Sequence, residues 1–204
     1  MAEPAAVAWR GISRVRPVPG ERFAVVGDGT VGLIAAHLLG LFSPSAVVVV
    51  GQRAEQAGLA FELGATRFEL AGSADLEGRF DLVVEAAGTP GAVESAFRLA
   101  RRGGRILLLG LAGNGVTAAL PVDDVVNNDL VITASFGYTT AAWADVTGLL
   151  GSGRLRLGPL ITHRFPLDSY ADAYATLRHS TGSQGTGSQG TGPRGKVLIE
   201  VNAP

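Results

Sequence analysis

One short glycine-rich segment constrains this chain more than any other feature. The six residues GDGTVG, at positions 27–32, directly follow the apolar run at residues 23–26 and open an apolar stretch with helical character. Glycines at this spacing, between a buried strand and a helix, are typical of the turn that holds a dinucleotide pyrophosphate. Gly27 permits the tight turn, Gly29 allows the backbone to approach the phosphates, and Gly32 allows the helix to pack against the strand.

The segments that follow predict an α/β fold. Short apolar runs alternate with helical segments, which indicates a parallel sheet covered on both faces. Right-handed crossovers then predict a Rossmann fold, a doubly wound parallel sheet of six strands in the order 3-2-1-4-5-6. We expect a turn at residues 101–104 and a solvated turn at residues 123–124. The six strands are expected at residues 23–26, 46–50, 66–68, 80–84, 105–109 and 131–134.

The residues after the second predicted strand indicate which dinucleotide is bound. NAD-binding domains usually place Asp or Glu there to hold the ribose hydroxyls. Here the strand runs into Gly51, Gln52 and Arg53, so the sequence shows no carboxylate to repel a 2′-phosphate. Gly51 would leave room for that phosphate, and Arg53 would offer a bidentate guanidinium. We therefore predict NADP(H) over NAD(H); the alternative is that Arg53 is only a solvated helical residue.

Further cofactor contacts are expected after the fourth and fifth strands. Ligands of doubly wound sheets lie beyond the carboxyl ends of the strands, where small residues allow close approach to the backbone. The alternative is that these are ordinary loop residues. The full predicted cofactor-binding set is Gly27, Gly29, Thr30, Val31, Gly32, Gly51, Gln52, Arg53, Ala86, Ala87, Gly88 and Leu111.

Composition excludes several classes of function. Apolar residues make up 47% of the 204 residues and the net charge is −1, so no electrostatic footprint for nucleic acid or anionic membrane exists. The absence of cysteine excludes disulfides and a thiolate-ligated zinc. We see no signal peptide and no apolar stretch of the ~18–20 residues that a membrane span needs. These features predict a cytoplasmic protein.

No catalytic or metal-ligating spacing is found, and His37 and His163 are interpreted as structural.

Six motifs in order resemble those of one known family. They are VVGDGTVG, the Gly51-Gln-Arg turn, ELGA at 62–65, FDLVVEAAG at 80–88, GGRILLLG at 103–110 and ITHRFPL at 161–167. Together they resemble the medium-chain, zinc-type alcohol and polyol dehydrogenases over nearly all of the chain except its Gly/Ser repeat. The Gly51-x-Arg53 pattern also resembles the NADP-dependent bacterial secondary-alcohol members, although a further aromatic NADP contact of those members corresponds to Ala71 here.

The resemblance implies a two-part organisation. Residues 1–157 would be the NADP-binding Rossmann domain with a leading helix, and residues 158–204 a C-terminal appendage belonging to the catalytic part. Within the appendage, residues 180–195 have the repeated TGSQG composition of a flexible loop.

The resemblance also implies a catalytic domain. Family members carry this domain at the N-terminus, with roughly 150 residues, a typical domain size. It supplies the zinc ligands, and we expect it to be absent here. Glu3 matches a carboxylate near that zinc but lacks Cys and His partners, so no zinc is expected in this chain.

Three functions are therefore carried forward. The first is the NADP(H)-binding portion of an alcohol dehydrogenase-like oxidoreductase that transfers hydride between nicotinamide and a secondary alcohol, polyol or ketone, inactive as a dehydrogenase by itself. The second is a truncated or repurposed Rossmann module that binds, scaffolds or catalyses a different reaction. The third is a relative of the enoyl- and quinone-reductases, which need no zinc. The Glu-Pro start and the EAAG stretch favour the zinc-type family over this alternative. Uncovered apolar edges at Ile161 and 197–199 predict a homodimer or altered packing.

Overall fold

The computed structural model describes residues 1–181 and 195–201. Within these residues the strands are β1 (Arg22–Val26), β2 (Ala46–Gly51), β3 (Arg67–Leu70), β4 (Phe80–Glu85), β5 (Ala100–Leu108), β6 (Val131–Ala134), β7 (Ile161–Pro166) and β8 (Lys196–Glu200). The helices are α1 (Ala2–Val15), α2 (Thr30–Gly40), α3 (Ala57–Glu62), α4 (Pro90–Leu99), α5 (Val122–Asn127), α6 (Thr140–Gly151) and α7 (Tyr170–Thr181). No helix in this described part is long and apolar enough to cross a membrane.

The main sheet has six parallel strands in the order β3-β2-β1-β4-β5-β6. This confirms the predicted Rossmann class and the predicted strand order. The sequence pattern explains why both faces are covered. Phe23 and Val25 of β1 pack into the core on the side of α1 and α2, whereas Ala24 and Val26 pack into the core on the side of α4. A strand with apolar residues at every position has two faces to bury, so it requires helices on both sides.

The register of the strands places the following loops side by side. Val26 at the end of β1 is paired with Val50 of β2 and with Glu85 of β4. Glu85 is in turn paired with Leu108 of β5. Four strands therefore end at nearly the same height, and the segments that leave them meet along one edge of the sheet.

Two predicted turns are wrong. Residues 101–104 lie within β5, which starts at Ala100 and passes through an irregularity between its pairings to Phe80 and Leu82. Gly103 adopts a φ of +70° in this stretch, so the strand is distorted without being interrupted. Residues 123–124 lie in the first turn of α5, where acidic side chains are favoured by the helix dipole.

The C-terminal segment forms a second, two-stranded parallel sheet from β7 and β8. The short helical turn Gly158–Leu160 precedes it, and Leu160 is fully buried in the same core as Leu155 and Leu157. The predicted loop at 180–195 overlaps the end of α7, which continues to Thr181. Residues 182–194 of that predicted loop lie outside the described residues.

Candidate functional site

The predicted cofactor-binding residues lie together at the carboxyl edge of the six-stranded sheet. They follow β1, β2, β4 and β5, the four strands whose ends are level. The segments also touch one another. A Cβ added to Gly27 would lie 2.8 Å from the Ala87 backbone nitrogen, and one added to Gly88 would lie 2.6 Å from the Leu111 carbonyl oxygen. Residues far apart in the sequence are therefore brought into one continuous surface.

The glycine turn is packed tightly at two of its three glycines. Gly27 has a φ of +122°, which only glycine adopts readily, and its N–H donates to the Val50 carbonyl oxygen at 2.9 Å. A Cβ on Gly32 would overlap the Gly27 carbonyl oxygen and lie 3.5 Å from the Val25 side chain. Gly32 therefore allows α2 to start directly over β1.

The remaining glycine, Gly29, faces open space. It is the N-cap of α2, and a Cβ placed on it would meet nothing within 4 Å. In the part of the chain that the structure describes, no side chain caps this helix, so the N–H groups of its first turn keep their anion-binding capacity. Thr30 and Val31 of this turn are half-buried. The arrangement fits a pyrophosphate, which needs an open approach and convergent N–H donors.

The end of β2 differs from the sequence-based prediction. We predicted that Gly51 leaves room for a 2′-phosphate and that no carboxylate is nearby. In the structure a Cβ on Gly51 would lie 2.7 Å from Asp28 Oδ2 and 2.6 Å from the Phe68 ring. Both parts of this prediction are wrong, because the glycine turn and the end of β2 are adjacent and the Asp28 side chain reaches across to fill the space.

Asp28 binds the backbone at the end of β2. Its Oδ2 accepts hydrogen bonds from the N–H groups of Gln52 and Arg53, each at 3.2 Å. Its Oδ1 lies 3.6 Å from the Arg53 guanidinium. The side chain of Gln56 donates to the Asp28 carbonyl oxygen at 2.7 Å. We call Asp28 together with the two N–H groups of Gln52 and Arg53 the Asp28 clamp.

A second carboxylate, at the end of β4, binds backbone N–H groups in the same way. Glu85 is 1% exposed, and its Oε1 accepts hydrogen bonds from the N–H groups of Ala87 and Gly88 at 2.8 and 2.7 Å. Among the described residues its Oε2 has no hydrogen-bond partner, and it would lie 2.6 Å from a Cβ on Gly110. We call Glu85 with the N–H groups of Ala87 and Gly88 the Glu85 clamp.

The Glu85 clamp shapes the surface that the β4 and β5 segments present. Gly88 has a φ of +68° and packs against Leu111, whose side chain is 76% exposed at the edge of the site. A Cβ on Gly110 would overlap the Gly88 backbone. The sequence-based expectation that these residues allow a nicotinamide to approach the backbone stays a prediction.

Sequence reasoning missed both clamp carboxylates. The signal for Asp28 was its place between two glycines, and the signal for Glu85 was an ionisable residue directly after the apolar run at residues 82–84. Neither signal specifies a partner, because the partners of Asp28 follow β2 and Gly110, which packs beside Glu85, follows β5.

The described residues offer no ready metal site. Among residues 1–181 and 195–201, no group of three or more His, Cys, Asp or Glu side chains could hold a metal ion, and the whole chain has no cysteine. Glu3 lies exposed in the first turn of α1. The donor set therefore does not fit the catalytic zinc that the resemblance implies, and the expected absence of zinc stays a prediction.

His37 has a structural environment outside the site. It lies half-buried in α2, and its Nε2 accepts a hydrogen bond from the Arg156 N–H at 3.1 Å. Burial lowers the pKa of His37 below its ordinary value. A hydrogen bond to the Leu63 backbone raises this pKa in part, and the charge of Arg156 lowers it further. The imidazole therefore joins α2 to the segment after α6 in its neutral form.

Comparison with known proteins shows which family this chain is similar to. A family model described as zinc-binding dehydrogenase matches residues 29–152. Sorbitol dehydrogenase from Gallus gallus is 29% identical over 193 residues, a match that covers 89% of this chain and 54% of the relative. The chain spans about half the length of the curated relatives it matches.

Two solved structures share the fold. A protein described as a zinc-binding dehydrogenase from Sinorhizobium meliloti 1021, bound to NADP, superposes with a TM-score of 0.81 at 24% identity, covering 97% of this chain and 57% of that chain. A protein described as a short chain alcohol dehydrogenase from Escherichia coli CFT073, in complex with NADH, gives a TM-score of 0.77 at 23% identity, covering 87% and 54%. At these identities the likeness establishes the fold alone.

Proposed function

This chain belongs to the zinc-binding dehydrogenase family, and from that premise we propose that it supplies the nicotinamide-dinucleotide site of an alcohol dehydrogenase-like oxidoreductase. The reaction is hydride transfer between nicotinamide and a secondary alcohol, polyol or ketone. One observation carries the proposal: an uncapped helix N-terminus with an open glycine, Gly29, lies beside loops of small residues at the level ends of four strands. The likeness to one protein bound to NADP and another bound to NADH supports it.

The part played by this chain is to bind and orient. When bound, the dinucleotide supplies the hydride chemistry. The first turn of α2 would hold the pyrophosphate, and the surface formed by Ala86, Ala87, Gly88 and Leu111 would hold the nicotinamide end. The Glu85 clamp fixes that surface, because it ties two consecutive N–H groups to one buried carboxylate. No catalytic residue is assigned to this chain, and no step through zinc is derived.

We further propose that NADP(H) is favoured over NAD(H). The support is the position of Arg53 directly after β2, with its side chain 26% exposed and therefore accessible to a 2′-phosphate. A guanidinium is well suited to bidentate phosphate binding. The Asp28 carboxylate opposes this preference, so we expect a partial preference for NADP(H).

We propose the same division of the chain that the sequence predicted. Residues 1–157 would form the cofactor domain, and residues 158–204 would return to a catalytic part of the whole protein. The separate β7–β8 sheet supports this division, while the burial of Leu160 shows that the two parts share a core near the boundary. The cytoplasmic location and the absence of nucleic-acid partners stay predictions.

A homodimer is also proposed. The support is the outer strand of the main sheet, β6, which leaves Val131 55% exposed and Ile132 37% exposed. An unpaired apolar edge strand is a favourable surface for pairing with a second copy. Sedimentation velocity on the wild-type chain and on an Ile132→Lys variant tests it. If the wild-type chain sedimented as a monomer at micromolar concentration, the proposal of a homodimer would be contradicted.

The test of the main proposal is a fluorescence titration of the 204-residue chain with NADPH and NADH. The variant Gly29→Asp places a carboxylate where the pyrophosphate would bind. Because Asp is a good N-cap, it should leave the stability of α2 unchanged or raised. Since the added charge repels the phosphates, we expect binding to weaken by at least about tenfold.

Gly58→Asp is the matched control, because it makes the same charge change at another glycine whose Cβ would meet nothing within 4 Å. Its affinity should stay close to wild type. Failure of the wild-type chain to bind either dinucleotide would overturn the proposed function. Binding without turnover of a secondary alcohol, polyol or ketone is the expected result for this chain, because no catalytic residue is assigned to it.

A further inference from the structure

We propose that Asp28 determines how strongly the site distinguishes a 2′-phosphorylated ribose from an unphosphorylated one, by competing with the phosphate for Arg53. The inference rests on the proposed function, because it requires the end of β2 to face the adenosine ribose. It assigns a specificity role to the residue between the first two glycines of the turn, whereas the sequence pattern placed that role only on residues that follow β2.

The position of Asp28 is the first argument. Dinucleotide-binding domains that hold a ribose hydroxyl usually do so with a carboxylate from the residues at the end of the second strand. Here that strand ends in Gly51, and the space beside it is occupied by Asp28, as the 2.7 Å separation between a Gly51 Cβ and Asp28 Oδ2 shows. The carboxylate that the sequence lacks at this strand end is thus provided by the neighbouring turn.

The orientation of the two carboxylate oxygens is the second argument. Oδ2 is engaged by the Gln52 and Arg53 N–H groups, which fixes the side chain in place. Oδ1 lies toward Arg53 at 3.6 Å, longer than the ~2.7–2.9 Å of a direct charge-assisted hydrogen bond. The guanidinium is therefore attracted by Asp28 without being tightly bound to it, and a phosphate could replace this partner.

The charges give the direction of the effect. A 2′-phosphate that binds Arg53 gains a strong cation but also lies close to the fixed negative charge of Asp28. A free 2′-hydroxyl suffers no such repulsion and can donate a hydrogen bond to a carboxylate oxygen. Both effects act against NADP(H) relative to NAD(H). Asp28 therefore limits a preference that Arg53 alone would make strong.

The experiment measures the dissociation constants of NADPH and NADH for the 204-residue chain and its variants by fluorescence titration. Asp28→Asn keeps an oxygen that can accept from Gln52 and Arg53 but removes the charge. We expect the NADPH-to-NADH affinity ratio to rise on the order of tenfold, the size of a screened charge repulsion at this range. Asp28→Ser, which removes the charge with a smaller side chain, should shift the ratio in the same direction.

Two further variants define the outcome. Glu62→Gln makes the same change in net charge at an exposed position of α3 and should leave the ratio within about twofold of wild type. Arg53→Ala should remove the preference for NADPH. A ratio unchanged in both Asp28 variants, with both affinities falling together, would overturn the inference by assigning Asp28 a purely structural role. Wild-type chain that binds neither dinucleotide would overturn the proposed function and the inference with it.

Discussion

The two clamps use the same chemistry at opposite ends of the site, yet they are built for different tasks. In each clamp, one carboxylate oxygen accepts hydrogen bonds from two consecutive backbone N–H groups. The second oxygen differs: that of Asp28 lies near the half-buried Arg53, whereas that of Glu85 is enclosed beside Gly88 and Gly110. The Asp28 carboxylate, which lies near a cation that can change partner, can affect which ligand binds. The Glu85 carboxylate, which is enclosed by backbone, can only hold its loop in one conformation.

The surroundings explain this difference. The Asp28 clamp is bordered by side chains, those of Phe68 and Arg53, which can move when a ligand arrives. The Glu85 clamp is bordered by the backbone of Gly88 and Gly110, which are packed against each other where β4 and β5 end. We therefore expect substitutions at the Glu85 clamp to act on stability and those at the Asp28 clamp to act on affinity.

The largest expected effect contrasts two glycines. In Gly110→Ala the new Cβ would overlap the Gly88 backbone, so we expect the free energy of unfolding to fall by about 3 kcal/mol. In Gly51→Ala the new Cβ would meet the end of the Phe68 ring and the Asp28 side chain, which yield more readily than backbone atoms, so a smaller loss of about 1 kcal/mol is expected. Urea unfolding followed by circular dichroism measures both. Equal losses would remove the distinction between a backbone border and a side-chain border.

The next effect contrasts the two carboxylates themselves. Glu85→Ala removes a side chain that is 1% exposed, leaves a cavity, and deprives the N–H groups of Ala87 and Gly88 of their acceptor, which should destabilise the fold by about 2 kcal/mol. Asp28→Ala should lose about 1 kcal/mol, because the Asp28 side chain is 12% exposed and water can more readily replace the lost acceptor. Glu85→Gln is the control, since it keeps one acceptor oxygen. A smaller loss for Glu85→Ala than for Asp28→Ala would reverse our assignment of tasks.

The smallest expected effect sets the pH at which the clamps should be compared. Because the pKa of His37 is lowered in the folded chain, the unfolded chain binds a proton more readily than the folded one. Stability from His37 is therefore fully present above its unfolded pKa of about 6.5 and decreases as the pH falls from there toward the lowered folded value.

Unfolding at pH 7.5 and 5.5, in wild type and in His37→Gln, tests this. The wild type should lose stability between these pH values, and the variant should lose less of it. If the variant showed the same pH dependence as wild type, the neutral hydrogen-bonded imidazole would not be the source. Clamp variants are best compared at pH 7.5, where this contribution is constant.

Much of this molecule was determined by its sequence. Strands apolar at every position required a sheet buried on both faces, and their alternation with helices required parallel connections of one hand. The spacing of Gly27, Gly29 and Gly32 marked the turn because two of these positions exclude a side chain by contact and the third faces open space. The strand pattern and the glycine spacing can be read from residues that are close together in the chain, although the backbone that excludes a side chain at Gly27 is that of the distant Ala87.

Only the tertiary structure decided what lies opposite each site residue. The sequence placed Gly51 and Arg53 at the end of β2 and predicted empty space with no carboxylate, because none of residues 51–53 is acidic. The parallel register that pairs Val26 with Val50 brings the glycine turn to the same height, and Asp28 then fills the space and faces Arg53. Side-chain neighbours across strands depend on register and on which loops end level, and this information lies in no single segment of the chain.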